Sequence, residues 1–222
     1  MIKLVGLWKE YKLDEETVFT ALAAVDLVIE QGEFSAITGP SGSGKSTLMH
    51  MIGLLDKPSK GKIFIEGKDI SKLDDDRLST LRSEFVGFVF QQFNLINKLT
   101  VLENILLPTV YARKKFEYDV NEKALYLIKR FGLNGKENSY PNKISGGQQQ
   151  RTAIARALIM SPKLILADEP TGNIDTKNGN EIMKLLKELN REEKITVVIV
   201  THEADIAAQT RRIIKIRDGK IE

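Results

Sequence analysis

Nine consecutive residues, Gly39-Pro40-Ser41-Gly42-Ser43-Gly44-Lys45-Ser46-Thr47, carry the densest chemistry in this chain. They match G-x-x-x-x-G-K-[ST], in which glycines let backbone N–H groups approach phosphate oxygens that a Cβ would obstruct. Lys45 is placed to reach the β- and γ-phosphates of a nucleotide, and Ser46 offers a hydroxyl to Mg²⁺. A second cluster, Asp168-Glu169, ends the apolar run Leu164-Ile165-Leu166-Ala167. Open α/β sheets bind ligands at the carboxyl ends of their strands. There Asp168 is the candidate metal holder and Glu169 the candidate general base for attack of water on a γ-phosphate. His202 follows the apolar run 195–200, and Gln91 follows the run 85–90. An imidazole at such a strand end suits a hydrogen bond to a γ-phosphate. The Gln91 amide oxygen suits Mg²⁺ or the attacking water, and the residue fits a plain surface glutamine as well. His50 is read as having no chemical role.

These groups need strands and helices to aim them. Glu33 to Thr38 reads as a short buried strand, and Leu48, Met51, Ile52 and Leu55 recur as one face of a helix after the glycine loop. That order points the helix N-terminus, with its unpaired N–H groups and positive dipole end, at bound phosphate. Residues 2–7, 25–30 and 62–65 read as further strands, so the opening third is richer in strand than a simple alternating unit, and a small antiparallel sheet accounts for it. Phe85 to Phe90 reads as a strand, and residues 92–161 are helical in character. Asp119 and Glu122 resemble a capping box before Val120, Ala124, Leu127, Ile128 and Phe131, with Gly132 closing that helix. Ser145 is the N-cap of a helix carrying Ala153, Ile154, Ala157 and Leu158 and ended by Pro162. The runs 163–167 and 195–200 fit parallel strands buried on both faces, joined through a helix marked by Ile182, Leu185, Leu186 and Leu189. Residues 213–220 read as a hairpin with an Asp-Gly turn.

Composition narrows the function classes. The 222 residues hold 33 basic and 30 acidic side chains spread along the chain, for a formal charge of +3, without the clustered excess of a nucleic-acid binder. Cysteine is absent, which excludes disulfides, thiol catalysis and cysteine-ligated metals and fits a reducing compartment. No apolar run reaches the roughly 20 residues that span a bilayer, and residues 1–10 lack the apolar core of a signal peptide. Membrane association is therefore expected to come through a partner.

The motifs in order, namely the glycine loop, Gln91, Ser145-Gly146-Gly147-Gln148-Gln149, Asp168-Glu169, Gly172-Asn173-Ile174-Asp175 and His202, resemble the ATP-binding cassette of ABC transporters over nearly the whole chain. The segments 87–95, 55–58 and 144–151 are similar to the LolD and MacB export group, with the cell-division ATPase FtsE a close relative. The resemblance implies an α/β fold: a P-loop NTPase core with a mostly parallel sheet, a small antiparallel β subdomain and a helical subdomain. It implies one domain over 1–222, with the core and antiparallel sheet in 1–91 and 162–222 and the helical part in 92–161. It further implies ATP and Mg²⁺ as ligands, with Ser46, Gln91 and Asp168 at the metal and Tyr11 stacked on adenine. Ser145, Gly146, Gly147, Gln148 and Asp175 would act on the nucleotide held by a second copy in an ATP-dependent head-to-tail homodimer. The partner implied for 92–161 is an integral membrane permease, with Gln91 as hinge, which places the chain in the cytoplasm on the inner face of the membrane. Export or extraction of a lipoprotein, peptide or drug is the implied role, and FtsE-like regulation of a membrane partner without cargo is the alternative. Ile174 and Glu203 stand where the family often has Leu and Asp. By the same resemblance, the regulatory tail of many importers is expected to be lacking.

Overall fold

The computed structural model describes residues 1–12, 14, 17–113 and 115–222. Two sheets share the work. The first is antiparallel and holds β1 (Ile2–Lys12), β2 (Val18–Ile29), β4 (Lys60–Ile65) and β5 (Lys68–Asp69) in the order β2-β1-β4-β5. The second contains β3 (Phe34–Thr38), β6 (Val86–Val89), β7 (Leu164–Asp168), β8 (Thr196–Val200), β9 (Arg212–Arg217) and β10 (Lys220–Ile221), ordered β10-β9-β3-β8-β7-β6. Its strands run parallel except at the closing hairpin of β9 and β10.

Strict side-chain alternation in the central strands builds two cores from one sheet. Val197 and Ile199 of β8 point to one face with Ile165 and Ala167 of β7. There they meet the helices α3 (Val101–Val110), α4 (Val120–Arg130), α5 (Gly146–Leu158) and α6 (Thr176–Glu193). Val198 and Val200 point the other way with Leu164 and Leu166, against α1 (Lys45–Ile52) and the antiparallel sheet through Leu4, Leu7 and Ile63. Each of the valine, leucine and isoleucine side chains among these, essentially inaccessible, contributes about 1.5–3 kcal/mol. A parallel sheet buried on both faces is what the unbroken apolar runs predict.

Several elements differ from the expectation. Strands β1 and β2 are about twice as long as their apolar cores suggest, because register shifts after Leu4, Leu7 and Lys9 interrupt the alternation while pairing continues to Lys12. Leu55 does not extend the apolar face of α1. The helix ends at Ile52, Leu54 has a positive φ of 58°, and Leu55 is exposed. Phe85 belongs to the end of α2 (Asp75–Phe85), and the strand that follows starts at Val86. Asp119 caps α4 through the N–H groups of Asn121 and Glu122, which is the forward half of a capping box. The reciprocal box forms instead at α3, between Thr100 and Glu103, and at α5, between Ser145 and Gln148. The last helix is α7 (Ala204–Ala207).

Candidate active site

The glycine loop lies between β3 and α1 at the carboxyl end of the parallel sheet. Its shape depends on missing side chains. Gly44 has φ 102°, and a Cβ there would meet the Ala21 carbonyl oxygen at 2.6 Å; at Gly39 it would meet the Ile216 carbonyl oxygen at 2.1 Å. The loop is tied to the hairpin turn by Gly219 N–H, which donates to the Ser43 carbonyl at 2.9 Å. Lys45 Nζ donates to the carbonyls of Gly39 and Pro40, each at 2.8 Å, so its charge is held over the mouth of the loop. Pro40, Ser41, Gly42 and Ser46 face solvent, while Ser43 Oγ is buried and has no protein hydrogen-bond partner. An anion with several acceptor oxygens satisfies both the N–H groups at the start of α1 and such a hydroxyl.

Tyr11, on β1, reaches the same corner. Its hydroxyl donates to Asp56 Oδ2 at 3.2 Å, and Thr47 of α1 is a second hydrogen-bond partner. Burial, then the Asp56 charge, pushes the phenol above its ordinary value. The ring is thus anchored beside the phosphate loop, with the Lys9 ammonium 4.9 Å from its centroid.

The acidic pair ends β7. Burial first, and then the Glu169 charge, raises the Asp168 carboxyl above the ordinary range, against the opposing pull of His50 and Lys45. His50 therefore does stand close to the site. Five residues on from Lys45, it does not share that residue's face of α1, so its spacing gives no signal of this. Glu169 sits at φ 43°, a left-handed conformation costing roughly 1–3 kcal/mol in a non-glycine residue. Its N–H donates to the Val200 carbonyl at 2.8 Å, and its own carbonyl accepts from Gly172 N–H at 3.1 Å. Its side chain meets His202, with Nδ1 and Oε1 2.5 Å apart. A carboxylate accepts, so Nδ1 carries the hydrogen and Glu169 Oε2 is left for another donor.

Gln91 lies past the end of β6, beside β7. Its Nε2 lies 2.7 Å from the position a Cβ on Gly172 would take, and its carbonyl accepts from Asn173 Nδ2 at 3.0 Å. The side chain thus rests on the 172–173 turn. Ser145 caps α5: its Oγ accepts from Gln148 N–H at 3.3 Å, and Gln148 Oε1 accepts from Ser145 N–H at 2.9 Å. The atoms nearest the Cβ positions of Gly146 and Gly147 belong to Phe93, Asn173, Ile174 and Asn178. Hence this helix end packs on the segment after Glu169. Asp175 caps α6, accepting from the N–H and Nδ2 of Asn178 at 3.1 and 2.6 Å, and the side-chain bond followed by the backbone one holds its carboxyl below the ordinary range.

The structure therefore gathers Tyr11, residues 39–47, Asp168, Glu169 and His202 at one end of the sheet, with Gln91 adjoining the same turn. It turns Ser145 to Gln148 towards residues 173–178. A phosphate loop, a carboxylate pair at the next strand but one and a glycine-rich helix start define a P-loop nucleotide hydrolase. The ABC transporter family profile matches residues 22–172, and the chain belongs to that family as an ATP-binding cassette, an ATPase. It is 50% identical over its full length to an ABC transporter ATP-binding protein of Methanocaldococcus jannaschii, MJ0796, 95% of which is covered. It is 44% identical to the lipoprotein-releasing system ATP-binding protein LolD 1 of Rhodopseudomonas palustris, 98% covered. Against the macrolide export ATP-binding/permease protein MacB of Chlorobaculum tepidum the identity is 48%, and there the chain spans 33% of the relative's length. The solved dimeric MJ0796 cassette in a post-hydrolysis state with ADP and Pi superposes with a TM-score of 0.90 at 48% identity, covering 100% of this chain and 97% of that one.

Proposed function

We propose that two copies of this chain clamp two ATP molecules head to tail, and that closing and opening this clamp drives a separate membrane permease of the LolD and MacB type. The reading is supported above all by the direction of Ser145 to Gln148. That capped helix start lies against the segment after Glu169 in its own chain, so its free N–H groups suit a γ-phosphate held by another copy. The dimeric form of the MJ0796 cassette supports the pairing of two copies. Residues 1–91 and 162–222 form the nucleotide core, residues 92–161 the helical segment, and Asp175 with its neighbours links the two sites.

Within each site Tyr11 stacks on adenine, residues 39–47 wrap the phosphates, and Lys45 bridges the β- and γ-phosphates. Mg²⁺, when bound, draws charge from the phosphate oxygens. Ser46, Asp168 and Gln91 would hold it. They fit the ion: a hydroxyl, one carboxylate and an amide oxygen are hard oxygen donors, and Mg²⁺ is commonly bound through one or two carboxylates together with substrate phosphates and water. Asp168, buried next to Glu169, also gains from a nearby cation. Glu169 Oε2 takes the proton of the attacking water while His202 steadies Oε1 and faces the γ-phosphate.

A groove of about 490 Å³ between β6, α3 and α5, lined by Leu55, Phe88, Leu107, Tyr111, Arg156 and Met160, suits a short amphipathic segment of the permease. No helix among the described residues is long and apolar enough to cross a membrane. In the proposed assembly the chain sits on the cytoplasmic face, and the cargo is a lipoprotein, peptide or drug, exported or extracted.

The test is Glu169→Gln. ATP affinity by calorimetry should persist, turnover should fall by about 10²–10⁴-fold, and light scattering should give a doubled mass with ATP. Turnover within about threefold of the parent removes Glu169 from its role; an unchanged mass removes the clamp.

A further inference from the structure

Gln150, on α5, reaches the backbone next to Glu169. It is fully buried, and its Nε2 donates to the Pro170 carbonyl at 2.7 Å. Because a carbonyl can only accept, the amide orientation is fixed by the bond. Its Oε1 is buried with no hydrogen-bond partner. Leaving an amide oxygen unpaired in the interior is costly, so a hydrophobic residue here would be the cheaper choice for packing alone.

The position explains the polar choice. Glu169 holds a strained φ and is followed by proline. On its amino side it is pinned to β8 by the Val200 carbonyl. On its carboxyl side the Pro170 peptide is pinned to α5 by Gln150. Two residues before Gln150, Gln148 closes the capping box at the start of the same helix.

We propose that Gln150 is a positioning residue for Glu169, joining the carboxylate turn to the helix whose N-terminus receives the γ-phosphate of the second site. A displacement of α5 when that phosphate engages is passed through one buried hydrogen bond to the Pro170 carbonyl and so to the direction of the Glu169 side chain. This rests on Glu169 acting as the base.

The experiment compares Gln150→Met, of similar length but without a donor, with Gln150→Glu, whose carboxyl donates to Pro170 only when protonated. Burial keeps such a carboxyl protonated to unusually high pH. Steady-state ATPase is measured from about pH 6 to about pH 9 beside the parent protein, with ATP affinity and thermal melting as controls. For Gln150→Met, kcat should drop by about tenfold to a hundredfold with KM for ATP little changed. The ratio of Gln150→Glu to parent turnover should be near one at the acid end and descend to the Met value at the alkaline end. Parent-like turnover of Gln150→Met, or a pH-independent ratio for Gln150→Glu, overturns the proposal. If Gln150→Met does not fold, the Gln150→Glu ratio decides. A silent Gln150→Met beside an inactive Glu169→Gln defeats this inference alone, whereas an active Glu169→Gln defeats the reading beneath it.

Discussion

Removing one amide, Asn104, should unfasten the loop that leads from Gln91 to α3. Asn104 is fully buried; its Oδ1 accepts from Ile96 N–H at 2.8 Å, and its Nδ2 donates to the carbonyls of Ile96, Leu99 and Thr100 at 3.1, 3.0 and 2.9 Å. In Asn104→Ala the Ile96 carbonyl still accepts from Leu99 N–H, and the Thr100 carbonyl from Asn104 N–H. The Ile96 N–H and the Leu99 carbonyl lose the partner that Asn104 supplies. At about 1–3 kcal/mol for each orphaned group, allowing for some water entry, the cost is about 3 kcal/mol. For a chain of this size that is a fall of about 6–12 °C in Tm, measured by calorimetry without nucleotide. Asn104→Asp should be worse still, since a carboxylate would face three carbonyl oxygens. A Tm within about 2 °C of the parent for Asn104→Ala would show that the loop stands by other means.

Two other outcomes follow from the site. Asp168→Asn should raise the Tm of the nucleotide-free protein at neutral pH while abolishing most Mg²⁺-dependent turnover. The sign is set by the raised carboxyl: stability from this group is full below the ordinary Asp value and is lost as pH rises through the higher folded value, so the gain from Asn should vanish in acid. An equal Tm difference at acid and neutral pH would contradict that. Gly44→Ala, at φ 102° and 2.6 Å from a backbone oxygen, should cost about 2 kcal/mol or more and weaken ATP binding, whereas Gly42→Ala, at φ 78° with open space around it, should cost about 1 kcal/mol. Equal melting shifts for the two variants would show that the close approach to Ala21 is not limiting.

The site was more legible in the sequence than the scaffold that supports it. Phosphate chemistry needs residue types at fixed spacing, so residues 39–47 and Asp168-Glu169 declare themselves. The buried strands β7 and β8 do so too, because both faces are covered. By contrast α2 buries only Leu78 and Phe85 and shows little apolar periodicity, and α3 carries Pro108 inside it, a residue that reads as a break. The bulges of β1 hide half its length for the same reason, since alternation fails where the register slips. Gln150 and Asn104 were illegible on principle: a buried amide looks like a surface amide until its partners, 20 and up to 8 residues away, are in place.

The strained turn at Glu169 has one more consequence. Because β8 holds one side of that turn and α5 the other, the carboxylate is tied to both elements at once, and under the role proposed for Gln150 a tilt of either would spoil its aim. If Glu169 is the base, a nucleotide bound before the two elements line up would be kept rather than wasted. Economy of fuel in such a machine would come from a backbone held in tension rather than from any separate brake.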